Sequence, residues 1–351
     1  MRARQLIFAM LCSCIIAIPV WAIEPSAPQQ WDRAAAMATV QSVDIDEAVN
    51  KIGNISTLGD ANATLDKLTF VETRTDWPLP AREAVLYRFT RSLAALPRDA
   101  VAVEVMQHLF TYQAKALVPH EDHGNAFEPL FNIRAAAQGV ENRWLRAESA
   151  TAARVLLARN PGEFVNSYKG VTNYNNQSGY LDALRDATLY EALIVQSMVI
   201  QQLGDSPELT NVLAITAGIT ENTYAVQQLL LSGSGAALAQ SLRALGEQMP
   251  AATLADLLNM AINTAPPSNA ALAIAEWWPQ LQQDAQIRDL LLGTLNSPEL
   301  GSAAALALAN SPDLQTIRVL QQTASGDSVA ARRAQSALDI NRANLIGEVQ
   351  K

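Results

Sequence analysis

Apolar residues recur along this chain at intervals of three and four, and short polar or proline-containing stretches separate the runs. Val85, Phe89, Leu93 and Leu96 are spaced four, four and three apart, which places them on one face of a helix that Pro97 ends. Asp44 stands three positions before Glu47, a capping-box spacing, with Val49 and Ile52 as the apolar side and Gly53 as a stop. Asp60 opens a run through Leu65, Leu68 and Val71, and Asp99 one through Val103, Val105, Met106 and Leu109. The alternation expected of half-buried strands is nearly missing. The pattern predicts an all-α fold.

The same punctuation divides the chain. Residues 23–42 form a polar lead-in, with helix expected by Gln30. Residues 116–129 hold Pro119, His120, Glu121, Asp122, His123, Gly124 and Pro129, and predict the longest loop of the first half. Helices follow over 131–137 and 142–159, and Asn160-Pro161-Gly162 breaks the pattern. The stretch 167–179, with Gly170, Asn173, Asn175, Asn176 and Gly179, predicts a polar connector between an N-terminal helical region, 23–166, and a C-terminal one, 180–351. In the latter, helices are expected at 180–202, 207–218, 221–231, 235–247, 251–263, 268–283, 285–295, 298–309, 312–323 and 327–340. Links this short set successive helices antiparallel and side by side.

A repeat is visible near the C-terminus. Ile287-Arg288 returns as Ile317-Arg318, and Ala307-Leu308 as Ala337-Leu338, each after 30 residues. Ser206-Pro207-Glu208-Leu209, Ser297-Pro298-Glu299-Leu300 and Ser311-Pro312-Asp313-Leu314 share one helix-start grammar: a capping serine, a proline for the first turn and an acid near the positive helix end. The segment Asp327-Ser328-Val329-Ala330-Ala331-Arg332-Arg333-Ala334, followed by Ala337-Leu338, resembles the second helix of the HEAT-like family of helical repeats. Gly301 to Ala309 keeps the Ala/Leu part and lacks the basic pair, so that repeat is degenerate. The resemblance covers 284–340 best and extends back to about 206. It implies an α–α superhelix, or stacked antiparallel hairpins, used for protein contacts, and it carries no catalytic residue onto this chain.

Composition changes the picture in two ways. Arg2 and Arg4 precede an uncharged, largely apolar run from Leu6 to Val20, and Val20-Trp21-Ala22 supplies a processing site. A signal peptide over 1–22, cleaved after Ala22, is expected, with the periplasm as destination. Leu11-Cys12-Ser13-Cys14 offers a second reading, a lipoprotein site at Cys14, against which stand the mostly apolar residues that follow it. Both cysteines lie in this leader, so the mature chain has neither disulfides nor thiolate ligands, and no transmembrane segment is expected in it. The formal charge of −9 becomes about −11 once Arg2 and Arg4 are removed. No basic footprint appears, which argues against a nucleic-acid partner.

Candidate chemistry is sparse. His120, Asp122 and His123 are of metal-ligating type but lack a strong fourth ligand, with His108 the only other imidazole. Trp277 and Trp278 follow Glu276 in an apolar helical run, where adjacent side chains diverge by about 100°. Two readings are open: both pack between layers of the stack, or one enters the core while its neighbour sits at the edge as a partner contact. Glu148-Ser149 resembles the acid-and-serine pair of lytic transglycosylases, although the accompanying glycine- and glutamine-bearing motifs are missing. Ser232-Gly233-Ser234-Gly235 is no nucleophile elbow, and nothing resembles a P-loop or dinucleotide motif, so no cofactor is expected. The leading expectation is a periplasmic, non-enzymatic scaffold for another envelope protein. Its rival is an envelope enzyme acting on cell-wall material or using a metal near His120.

Overall fold

A computed structural model describes residues 27–53, 59–123 and 126–349, with side chains to residue 344. The leader read at 1–22 lies outside them. The fold is all-α, with eighteen α-helices and one small three-stranded sheet among the described residues. None of the described helices is long and apolar enough to cross a membrane. The chain divides into two compact units after Val140.

In the first unit, aspartates start the helices. Asp32, Asp44, Asp60 and Asp99 accept hydrogen bonds from first-turn N–H groups of α1 (Arg33–Val40), α2 (Ile45–Ile52), α3 (Ala61–Thr73) and α5 (Ala100–Thr111). Between the last two lies α4 (Leu79–Ser92), entered through Pro78 and packed against α1, α2 and α3. Its expected stripe is buried throughout, Val85, Phe89, Leu93 and Leu96 included.

The loop expected at 116–129 is instead a hairpin. Strand β2 (Ala116–Pro119) pairs antiparallel with β3 (Phe127–Pro129), Val118 opposite Glu128. The lead-in adds β1 (Gln29–Gln30), parallel to β2 with Gln29 opposite Ala116. Two- to four-residue strands are too short to reveal an alternation. A buried carboxylate anchors the sheet to α4. Glu83 accepts from the N–H groups of Lys115 at 2.5 Å and Ala116 at 3.2 Å, and from the Tyr112 hydroxyl at 3.1 Å. Burial pushes the Glu83 carboxyl above the usual range, and these donors oppose the rise.

Helix α6 (Ile133–Arg159) runs without a break, where two shorter helices were expected, and its residues from Glu141 belong to the second unit. The polar stretch read as a connector is also mostly helix: α7 (Pro161–Gly170) ends and α8 (Tyr174–Arg185) begins within it, capped by Asn173. The chain then continues as α9 (Leu189–Gln202), α10 (Thr210–Thr220), α11 (Thr223–Ser232), α12 (Gly235–Gln248), α13 (Ala251–Thr264), α14 (Pro267–Leu281), α15 (Ala285–Thr294), α16 (Gly301–Ala309), α17 (Leu314–Ala324) and α18 (Val329–Val349). A capping box at Thr188 and Glu191 separates α8 from α9, which were expected as one helix.

These helices stack in two layers. In one, α7, α9, α11, α13 and α15 pack in succession, and in the other α8, α10, α12, α14, α16 and α18 do. Leu213, Leu229, Leu242, Leu258, Trp277, Leu291 and Leu308 belong to one continuous core. The Ser-Pro-acid-Leu segments precede their helices rather than opening them. Residues 207–209 form a 3-10 turn before α10, and Asp313 rather than Ser311 caps α17. Ser297 Oγ accepts from the Leu300 N–H, one residue before α16 begins.

Candidate functional site

A groove of about 590 Å³ opens on the second layer, where α8, α10 and α12 lie side by side. Each helix presents one face to it. From α8 come Tyr174, Gln177, Ser178, Leu181 and Arg185; from α10, Asn211, Ala214, Ile215, Gly218 and Ile219; from α12, Gln240, Ser241, Ala244, Leu245 and Gln248. All three sets follow the three-and-four spacing of a single helix face. The floor is low because the middle helix contributes Ala214 and Gly218. A Cβ at Gly218 would come within 2.6 Å of Gln248 Oε1, so that side-chain amide lies directly against the α10 backbone. Ser241 Oγ stands 3.5 Å from Asn211 Oδ1. Both pairs are separated by the same 30 residues, so α10 and α12 run parallel.

Helix α8 is seated by close backbone approach. A Cβ on Gly179 would lie 2.8 Å from Ala150 N and from Ser149 Cβ on α6. Glycine is here a crossing point of two helices, and no turn needs it. Ser149 Oγ donates to the Asn176 carbonyl at 2.9 Å across the same crossing.

One wall is cationic. Arg146 on α6 donates from Nε and Nη2 to the Asp182 carboxylate at 2.5 and 2.7 Å, and Arg185 Nη1 donates to it at 2.6 Å. The hydrogen bond from Arg146 holds the Asp182 carboxyl below its usual range, against a smaller opposing effect of desolvation. Tyr168, also lining the groove, has its hydroxyl pushed up to about 12 by burial, with Glu208 adding to the shift. It is neutral at physiological pH. Tyr174 projects from the rim, 78% exposed.

The residues singled out from the sequence lie elsewhere. Trp277 and Trp278 are both buried, at 0% and 2% exposure, so neither is a surface anchor. Helix α14 packs against α11, α12, α13 and α16, and directions 100° apart both meet protein. Trp277 Nε1 donates to the Leu242 carbonyl at 2.7 Å, and its ring rests on Gly246.

His120 and His123 stack at 5.0 Å between ring centroids. The Asp122 N–H donates to His120 Nδ1, which occupies that nitrogen. His108 is engaged separately, its Nε2 being 2.7 Å from Glu72 Oε1. Among the described residues no group of three His, Cys, Asp or Glu side chains is arranged to hold a metal ion. Glu148 is exposed on α6, and Ser149 is used in the α6–α8 crossing.

The groove itself escaped sequence reasoning. Its residues are mostly small, amide and aliphatic side chains with two arginines and two tyrosines, scattered over α6, α7, α8, α10 and α12, and they resemble no motif. The available signal was the 30-residue offset, which joins Asn211 to Ser241 and Gly218 to Gln248. No protein-family model matches the chain, and comparison with curated proteins and with solved structures returns no match.

Proposed function

We propose that the protein is exported to the periplasm and serves there as a non-enzymatic scaffold, binding a segment of another envelope protein in the groove over α8, α10 and α12. The groove's lining carries this reading. Its walls hold side-chain amides, hydroxyls and an exposed tyrosine over a floor of small apolar residues, a mixture suited to protein recognition. The titratable groups lining it are two arginines and two tyrosines. His, Asp and Glu, the side chains most often used for acid–base catalysis near neutral pH, are not among the described residues that line it. The two-layer stack and its 30-residue offset support grouping the C-terminal region with HEAT-like repeats, whose faces commonly serve as binding surfaces.

Two measurements test this. Ala244 is exposed in the groove, so Ala244→Trp fills it without disturbing the core. Envelope proteins retained by the wild-type chain should be lost from Ala244→Trp and kept by Tyr224→Ala, a change on α11 in the other layer. Identical retention by all three chains refutes a binding role for the groove. Mass spectrometry of the protein from its native envelope should show a start at Ile23, and a predominant Met1 start refutes cleaved export.

A further inference from the structure

We infer that this groove takes an extended, acidic peptide segment, seated on the Arg146–Arg185 pair. The inference rests on the protein-binding reading above and adds the chemistry of the partner.

Charge is the first argument. The chain carries −9 overall, yet no aspartate or glutamate lines the groove, while two arginines do. Both guanidiniums hydrogen-bond to one carboxylate, Asp182, which leaves an excess of one positive charge on that wall. Their side chains remain about half exposed, at 50% and 55%, so each presents further N–H donors to solvent. Asp182 fixes the two guanidiniums in place before any ligand arrives. A ligand carboxylate therefore meets an ordered pair of cations and gains charge-assisted hydrogen bonds at little ordering cost. Over the rest of an acidic surface the same ligand is repelled.

Shape and hydrogen-bonding capacity are the second argument. From Tyr174 to Arg185 the α8 wall is about 16 Å long at 1.5 Å per residue, room for about five residues of extended chain. Gln177 stands on one wall, Gln240 and Gln248 on the other. Gln177 Nε2 already donates to the Val171 carbonyl at 2.7 Å, and the side chain keeps its oxygen and one N–H. Each amide thus still has a donor and an acceptor to match the N–H and C=O groups of an extended backbone. A packed helix, its backbone already paired, has no use for them.

The test uses two pools of six-residue peptides, amidated at the C-terminus and carrying a neutral fluorophore. Each peptide in one pool contains a single Asp or Glu, and the other pool has Asn or Gln in its place. Binding to the mature protein is followed by fluorescence polarisation at low and high salt. The acidic pool should bind about tenfold more tightly, and the advantage should shrink at high salt. Arg185→Glu should erase the advantage, and Arg159→Glu, an exposed cation outside the groove, should leave it intact. Ala244→Trp should abolish binding of both pools, with circular dichroism confirming that each variant is folded. Equal affinity for both pools, lost in Ala244→Trp, overturns the acidic preference and leaves the protein-binding reading standing. Binding by neither pool, or binding indifferent to Ala244→Trp, overturns this inference outright.

Discussion

Both units cover the exposed ends of their helices with side chains, and they recruit those side chains over different distances. A helix leaves its last carbonyls without partners. In the first unit the next helix in sequence supplies the donor: Lys67 Nζ reaches the Ile52 carbonyl across 15 residues, and Arg82 Nη1 the Glu72 carbonyl across 10. In the second unit the donor comes from farther along the chain. Asn269 Nδ2 donates to the Leu230 and Gly233 carbonyls, 39 and 36 residues back. Arg333 Nη1 closes the end of α15 at Leu295 and Ser297, 38 and 36 residues back, and Asn341 closes α16 at Ala309, 32 back. Ion pairs keep the same reach, Arg146 to Asp182 across 36 residues and Arg243 to Glu276 across 33. The helix ends of the first unit are thus closed by sequence neighbours and those of the second by neighbours in a stack, while the first unit's longer ties, Glu83 to Lys115 across 32 residues and Arg33 to Glu128 across 95, hold its sheet. Regular spacing in the second also allows adjacent helices to present matched faces, and the groove follows from that.

The sharpest break should come at Glu83. Replacing it with alanine leaves a buried N–H at Ala116, a part-buried N–H at Lys115 and the Tyr112 hydroxyl without their acceptor, a cost of about 3 kcal/mol. Hydrogen exchange should show protection lost at β2 and α4 and kept from α10 to α14. Loss spread evenly over all helices would erase the distinction between the two modes of construction. Leu338→Asp comes next. Leu338 is 5% exposed, and a charge there should destabilise by roughly 2–4 kcal/mol. In a stack the damage is graded, greatest in α16 to α18 and least in α8 to α10, and exchange rates should follow that order.

A smaller effect tests the long-reach caps directly. The Arg333 guanidinium lies against Gly301, where a Cβ would collide with it. Gly301→Ala and Arg333→Ala should each cost about 1–2 kcal/mol, and the double variant should cost less than their sum, since the collision with the guanidinium is removed and only that with the Leu295 carbonyl, 2.7 Å from such a Cβ, remains. Strict additivity in thermal melts would show that the guanidinium does not sit there. The smallest effect concerns a tie of the first unit. The hydrogen bond to Glu72 raises the pKa of His108 above 6.5, against partial burial. The wild-type advantage over His108→Gln should therefore be full below the unfolded value of about 6.5 and vanish as pH rises through the raised folded value. A pH-independent difference would sever this link.

What the sequence revealed follows the range of the interaction concerned. Asp44 and Asp99 cap helices through bonds spanning three residues, and such signals are legible in a short window. The 30-residue offset was legible because Ile-Arg and Ala-Leu recur intact. The Ser-Pro-acid-Leu grammar marked the right places, but tight turns delay α10 and α16 by a few residues, and capping by Asp313 delays α17. Gly179 was misread as a turn because its cause, the α6 backbone, lies about thirty residues away in sequence. The choice between the two readings of Trp278 stayed open for a related reason: how many neighbours surround α14 is a property of the stack and is invisible in the helix itself, and the stack buries it. Arg333, read in the sequence only as part of a basic pair, caps α15 from 36 to 38 residues away.

The long-reach caps also set a schedule. A chain emerging N-terminus first delivers α15 well before Arg333, so the carbonyls of Leu295 and Ser297 wait until another 36 to 38 residues have appeared. The end of α11 waits for Asn269 in the same way. The ends of α11, α15 and α16 are therefore provisional at birth and are completed by later helices, with Asn341 closing α16 last of the three. Emergence stalled between 310 and 340 would leave a stack whose final carbonyls are still open, and the place of the stall would be recorded in which helix end remains unprotected.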